Sequence, residues 1–294
     1  MKQVPIAIAF AVACLGIATF ASMDAVIKSL SLAIGAYNAL LWRNLAGIAV
    51  SGVPWLWQRP ARPSRAAMKL HVERGVISAV MALLFFWGLA RTPMAQAIAL
   101  TFIAPLIAQG LAVLLLKERM QKGALFGSAL AFGGVLLILW GQASAKMGPE
   151  AFWGAIAVLL SAVAYAYNII LMRRQAQIAD PYEVTFFQNV IVSICLAVAM
   201  PWFGMVPPAE HGPMIILAAV LATISLVLLS WAYARAEASY LAPVEFTAFI
   251  WASLWGWVFF SEPVGLATLA GAGLIVSGCW MAARSPDLER DVIP

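Results

Sequence analysis

Charge is scarce in this chain. Asp, Glu, Lys and Arg make up only 11% of its 294 residues, against about 25% in a soluble domain. Apolar residues make up 64%, and the mean hydropathy is +0.92. So much apolar surface cannot be hidden in one water-soluble core, which excludes a soluble enzyme. Disorder is excluded as well, because it needs few apolar residues and high charge. The net charge of +5 comes from short basic loops rather than from a patch interleaved with aromatics. No nucleic-acid partner is expected.

Cysteine and histidine are equally sparse. Cys14, Cys195 and Cys279 lie inside apolar runs with no CxxC spacing, which argues against a disulfide framework or a zinc site. His71 and His211 stand alone at segment edges and read as solvated loop residues. There is no Walker A sequence for ATP, and no His/Asp/Glu cluster has metal spacing. No Ser/His or Asp/Asp pairing marks an intramembrane protease. A channel would show rings of charge or a repeated filter sequence, and neither is present. No cofactor, metal or enzymatic activity is expected.

What the chain does have is long apolar runs. A membrane-crossing helix needs about 20 mainly apolar residues. Ten runs qualify: Pro5–Leu32, Tyr37–Trp57, Val72–Leu89, Met94–Leu116, Gly123–Gly141, Phe152–Met172, Tyr182–Phe203, Pro213–Tyr233, Leu241–Phe260 and Val264–Ala283. The first is too long for a cleaved leader. The fold class expected is therefore an all-α integral membrane protein with ten transmembrane helices. With the N-terminus placed inside, fourteen loop Lys and Arg residues face the cytoplasm, Arg74 among them, and only Arg91 and Lys146 face out. Cytoplasmic loops carry such an excess, so both termini are expected to be cytoplasmic.

The halves repeat at an offset of 144. Trp87-Gly88-Leu89-Ala90-Arg91 aligns with Trp231-Ala232-Tyr233-Ala234-Arg235, Phe102 with Phe246, Glu118 with Glu262, Gly127 with Gly271 and Gly134 with Gly278. Five spans is an odd number, so the second copy must enter the membrane from the opposite side. Residues 1–146 and 147–294 are expected to form two inverted five-helix repeats, joined at the polar segment Gln142–Glu150. Inverted repeats typify transporters, whose substrate sits near mid-membrane where the copies meet.

With these features the chain resembles the drug/metabolite transporter superfamily, specifically the ten-helix EamA-type exporters. The resemblance rests on Lys28, on Leu41-Trp42-Arg43-Asn44, on Pro105 followed by Lys117-Glu118-Arg119, on Tyr165-Ala166-Tyr167 before Arg173-Arg174, and on Ser261-Glu262-Pro263. Such members often carry a second proline equivalent to Pro105. Here that position is Phe249, and Pro243 lies six residues earlier. Within the superfamily the chain is most similar to bacterial aromatic amino-acid exporters. The resemblance implies an inner-membrane secondary transporter of small molecules.

Charges inside spans are costly and call for partners or a function. Asp24 and Lys28 share a helix face and can pair. Asp24 and Arg43 are equidistant from the turn Ser31–Ala36, which would bring them to one depth. These three residues read as an ion-pair cluster or part of a gate. Glu245, two residues after Pro243, reads as a helix-start acid; Asp24 and Glu245 are the candidates for proton coupling. Glu118 and Glu262 read as turn-closing residues. The candidate substrate cavity comprises Met81, Thr101, Phe102, Pro105, Tyr165, Asn168, Ser225, Phe249 and Trp251. A mix of aromatic, Met and hydroxyl or amide groups suits an apolar side chain with a small polar end. The cargo expected is an aromatic or other large neutral amino acid, with amphiphilic drugs or nucleotide-like metabolites as the alternative. A non-transporting scaffold is disfavoured by the inverted repeat.

Overall fold

The computed structural model describes residues 6–58, 62–117, 122–142, 149–261 and 266–283. All regular structure among the described residues is helical. The first half contains α1 (Ile6–Ile34), α2 (Ala36–Trp57), α3 (Arg65–Leu89), α4 (Met94–Thr101), α5 (Ile103–Leu111) and α6 (Lys122–Gln142). The second contains α7 (Pro149–Ala176), α8 (Pro181–Ala197), a short α9 (Met200–Phe203), α10 (Gly212–Tyr233), a short α11 (Ala238–Leu241), α12 (Ala248–Phe260) and α13 (Leu266–Ala283). Five stretches are long and apolar enough to cross a membrane: Ile6–Ile34, Arg65–Leu89, Phe152–Ala176, Ala209–Tyr233 and Ala242–Phe260. Other expected spans hold shorter apolar helices, at Leu106–Leu116, Leu125–Gly134 and Pro181–Ala197.

Local chemistry sets the boundaries. Gly35, at φ +79°, is the single residue between α1 and α2; only glycine takes that conformation at no steric cost. The Ser64 side chain accepts the Ala67 N–H at the start of α3, and Asp180 accepts the N–H groups of Tyr182 and Glu183 at the start of α8. Side-chain oxygens there satisfy donors that the first helical turn leaves open. Because Ser64 fixes its start, α3 begins seven residues before the expected Val72. His71 and Arg74 therefore lie inside a helix rather than in a loop.

Two passes are broken. α4 gives way to α5 at Phe102, and a π-helical turn, Ala112–Leu116, follows α5. Pro105 lacks the N–H that the Thr101 carbonyl would otherwise receive, which explains a break one turn before the proline. In the second half a 3-10 turn, Ala242–Thr247, separates α11 from α12, with Pro243 in its first turn. The two passes end alike: Lys117 (φ 57°) and Ser261 (φ 54°) are the positive-φ non-glycine residues among those described, and they are 144 positions apart. The glutamates expected to close the following turns, Glu118 and Glu262, lie outside the described residues.

The packing obeys the repeat. α6 lies against α13, α1 against α10 and α3 against α7. A Cβ on Gly134 would fall 2.6 Å from the Gly271 carbonyl oxygen, and one on Gly278 would fall 2.5 Å from that of Gly127. These two contacts interchange under a shift of 144, and their numbers run in opposite senses. α6 and its own counterpart α13 are thus antiparallel, as copies of opposite topology require. Glycine is needed at these points because backbone approaches backbone. Hydroxyls tie the exchanged helix pairs: Ser225 donates to the Gly16 carbonyl at 2.9 Å, and Ser161 to that of Met81 at 2.9 Å. Arg91 covers Trp87 at 3.8 Å and Arg235 covers Trp231 at 4.0 Å. Trp57, Trp153, Trp202 and Trp280 are exposed near helix ends, the usual place of interfacial aromatics.

Candidate substrate cavity

A cavity of about 130 Å³ lies between the halves. α1, α2 and α3 present residues to it from one copy, and α7, α8 and α10 from the other. Its apolar wall includes Met81, Phe85, Phe86, Phe102 and Leu229. At the break between α4 and α5, Phe102 meets its repeat partner Phe246 with ring centroids 5.1 Å apart. A residue touching its own equivalent marks the pseudo-two-fold axis, so this edge of the cavity sits where the copies meet.

Of the residues singled out from sequence, Met81, Thr101, Phe102, Tyr165, Asn168, Asp24, Arg43 and Glu245 line this cavity. Ser225, Phe249, Trp251 and Lys28 do not. Ser225 is spent on the Gly16 carbonyl. Phe249 is fully buried behind Phe102, at 6.2 Å between centroids. Trp251 is half-buried on α12; its neighbour one turn on, Trp255, donates to Ser22 Oγ at 3.0 Å. Lys28 donates to the Thr92 carbonyl at 3.3 Å and stands over the Phe260 ring. Pro105 belongs to α5, and its side chain lies outside the described residues.

Glu245 lies in the first turn of the 3-10 segment that runs into α12, as its place after Pro243 led one to expect. It is buried in the 3-10 turn, and its carboxyl oxygens accept the Tyr165 hydroxyl at 2.8 Å and the Tyr233 hydroxyl at 3.3 Å. Two tyrosines from different helices, α7 and α10, thus tie this helix start to the rest of the cavity wall. Asp24 and Arg43 do come level: Arg43 Nη1 lies 3.5 Å from the sulfur of Met23, and Arg43 Nη2 donates to Asn44 Oδ1 at 3.0 Å. Among the described residues, however, Asp24 makes no ion pair within 4.0 Å; its Oδ1 is buried without a hydrogen-bond partner, as are Arg43 Nε and Gln188 Oε1.

Sequence reasoning missed a buried polar chain at one end of the cavity. His71 is not solvated; it is fully buried. Its Nε2 is 2.9 Å from Glu183 Oε1, its Nδ1 is 2.5 Å from Gln175 Nε2, and its ring stacks on Phe187. Gln175 Oε1 accepts Arg74 Nη1 at 2.8 Å, Arg74 Nε donates to Asn168 Oδ1 at 3.3 Å, and Asn168 Nδ2 donates to Ser78 Oγ at 2.6 Å. The Gln175 amide N–H on Nδ1 places the ring proton on Nε2, facing Glu183. The chain joins α3 of the first copy to α7 and α8 of the second. Its far end, Glu183, also lines a polar surface recess with Arg62 and Asp180. His211, by contrast, sits in a surface turn 3.7 Å from Glu210. The signal available for the buried chain was spacing: 71, 74 and 78 fall on one face of α3, and 168 and 175 on one face of α7.

Comparison with known proteins follows the same two halves. The chain matches the EamA-like transporter family over residues 7–140 and again over 152–284. It is 26% identical to the pseudopaline exporter CntI of Pseudomonas aeruginosa (strain UCBPP-PA14), covering 91% of this chain and 93% of that protein. It is 29% identical to a riboflavin transporter of Rhizobium johnstonii over 86% of this chain and 93% of that protein. A solved crystal structure superimposes with a TM-score of 0.73 at 19% identity, over 98% of this chain and 99% of its own, a likeness of fold. The chain belongs to the EamA-like transporter family and is a multi-pass membrane protein.

Proposed function

We propose that this EamA-like transporter crosses the bacterial inner membrane ten times, with both termini cytoplasmic, and exports small organic metabolites by alternating access. The observation that carries the reading is the cavity itself. It lies between two inverted copies and brings together charges from both, namely buried Asp24 and Arg74 and half-buried Arg43 from one and buried Glu245 from the other. Charged groups at this depth are costly unless they serve a pathway. With Arg74 counted as buried, thirteen loop cations still face the cytoplasm against two outside, which supports the orientation. In that orientation the Glu183–His71–Gln175–Arg74 chain lies at the cytoplasmic end of the cavity and acts as a clasp. Rocking of the two copies would open it on the inside and close the opposite end. Transport runs on the substrate gradient or on a proton carried by Asp24 or Glu245.

The favoured cargo is an aromatic or other large neutral amino acid. The Phe-rich and Met-rich wall suits its side chain, and the buried polar groups suit its charged end. A second reading, a larger heteroaromatic metabolite, is favoured by the likeness to a protein named a riboflavin transporter. Counterflow in proteoliposomes with labelled Phe, Tyr, Trp, Ser and riboflavin separates them. Uptake of the aromatic amino acids well above Ser supports the first reading. Uptake of riboflavin alone supports the second, and uptake of none overturns both cargo readings.

A further inference from the structure

We infer that Asp24, Arg43 and Gln188 read both charged ends of an α-amino acid, a specificity that rests on the function proposed above and deepens it. Buried polar atoms in folded proteins almost always have hydrogen-bond partners. Here three atoms facing one cavity have none: Asp24 Oδ1, Arg43 Nε and Gln188 Oε1. Asp24 and Gln188 are each more than nine-tenths buried. Two of the three are acceptors and one is a cationic donor. The complementary ligand offers an ammonium group, which has three donors and no acceptor, and a carboxylate, which matches the guanidinium edge.

The other charged groups of the cavity are already engaged, which singles out this trio. Both Glu245 oxygens accept tyrosine hydroxyls. Arg74 is held by Gln175 and Asn168. Asp24 and Arg43 project from adjacent helices at one level, since Arg43 touches Met23. Yet no contact within 4.0 Å closes the gap, and among the described residues neither is in an ion pair. An ammonium and a carboxylate carried on a single carbon span such a gap, one end toward Asp24 and Gln188 and the other toward Arg43. The side chain then points at Phe85, Phe86 and Phe102. A ligand with one charge satisfies only half of the trio and leaves the rest buried and unpaired, a discrimination that hydrogen-bonding sites impose strongly.

The test is competition against labelled phenylalanine counterflow in proteoliposomes of the full chain. Three competitors share the ring: phenylalanine, 3-phenylpropionate without the ammonium, and phenethylamine without the carboxylate. In the wild type, each single-ended compound should compete at least tenfold more weakly than phenylalanine. Asp24→Asn should weaken phenylalanine about tenfold and leave 3-phenylpropionate unchanged. Arg43→Gln should weaken phenylalanine and leave phenethylamine unchanged. Equal competition by all three compounds in the wild type overturns the inference while leaving the transport function standing. Uniform weakening of all three by Asp24→Asn also overturns it. Absence of any amino-acid counterflow in the wild type overturns the cargo reading as well. Because the wild-type series decides by itself, a variant that fails to fold does not remove the test.

Discussion

The two halves agree where they pack against each other and differ where they face the ends of the cavity. At packing positions the equivalence is close. Gly134 on Gly271 mirrors Gly278 on Gly127, Arg91 on Trp87 mirrors Arg235 on Trp231, and Lys117 turns as Ser261 does. At the clasp it fails. The equivalents of His71 and Arg74 are Ile215 and Ala218, both buried and apolar, and the equivalent of Gln175 is Ser31, whose hydroxyl has no partner. Packing must be symmetric for one interface to serve two copies. The ends are free to differ. One is held by a chain of buried side chains, whereas at the other the copies meet through side chain-to-backbone bonds: Tyr37 to the Leu196 carbonyl, Trp42 to the Met205 carbonyl and the Met205 N–H to Asn38. A polar chain is directional and all-or-none, since breaking it strands buried groups.

This contrast can be broken by substitution. The largest effect belongs to the clasp. His71→Leu strands the largely buried Glu183 carboxylate and the Gln175 amide, which costs up to roughly 3–5 kcal/mol. Ile215→Val at the equivalent position should cost only about 0.5–1.5 kcal/mol. Thermal unfolding in detergent compares them, and similar losses at both positions would erase the asymmetry. The second effect tests the symmetric part. Gly134→Ala and Gly278→Ala each force a Cβ onto a backbone oxygen at 2.6 and 2.5 Å, and should cost about 1–3 kcal/mol each. The two should match to within roughly 0.5 kcal/mol, the scale on which independent sites are comparable; a loss at one alone would contradict the repeat. The smallest effect is at the rim. Arg91→Gln and Arg235→Gln remove one ring contact each, worth about 0.5–1 kcal/mol, and should again match.

Much of the fold was legible because the membrane imposes simple rules. Apolar length marked the runs, and the Trp–Arg and glycine matches marked the repeat. Cavity residues such as Thr101, Phe102, Tyr165 and Asn168 stood out because polar or aromatic groups deep in apolar runs are few. Asp24 and Arg43 stood out for the same reason, and the one-residue corner at Gly35 brings them level. His71 and Arg74 did not stand out. They sit among Lys69 and Glu73, where local polarity resembles a loop, and their partners Gln175 and Glu183 are more than a hundred positions away. Glu245 was legible in part for a related reason. Its neighbour Pro243 signalled the helix start, whereas its side-chain partners, Tyr165 and Tyr233, come from other helices.

Accessibility of the cavity from each side tests the clasp most directly. Ala82 lines the cavity on α3 and takes part in no polar contact. A single cysteine placed there, in a chain otherwise free of cysteine, can be labelled with a membrane-impermeant thiol reagent added to oriented vesicles from one side or the other. With the clasp intact, labelling from the cytoplasmic side should be slow. His71→Leu should speed it at least tenfold on that side and leave labelling from the opposite side unchanged or slower. Unchanged cytoplasmic labelling in His71→Leu, or faster labelling only from outside, would contradict the view that the His71–Glu183 chain closes the cytoplasmic end.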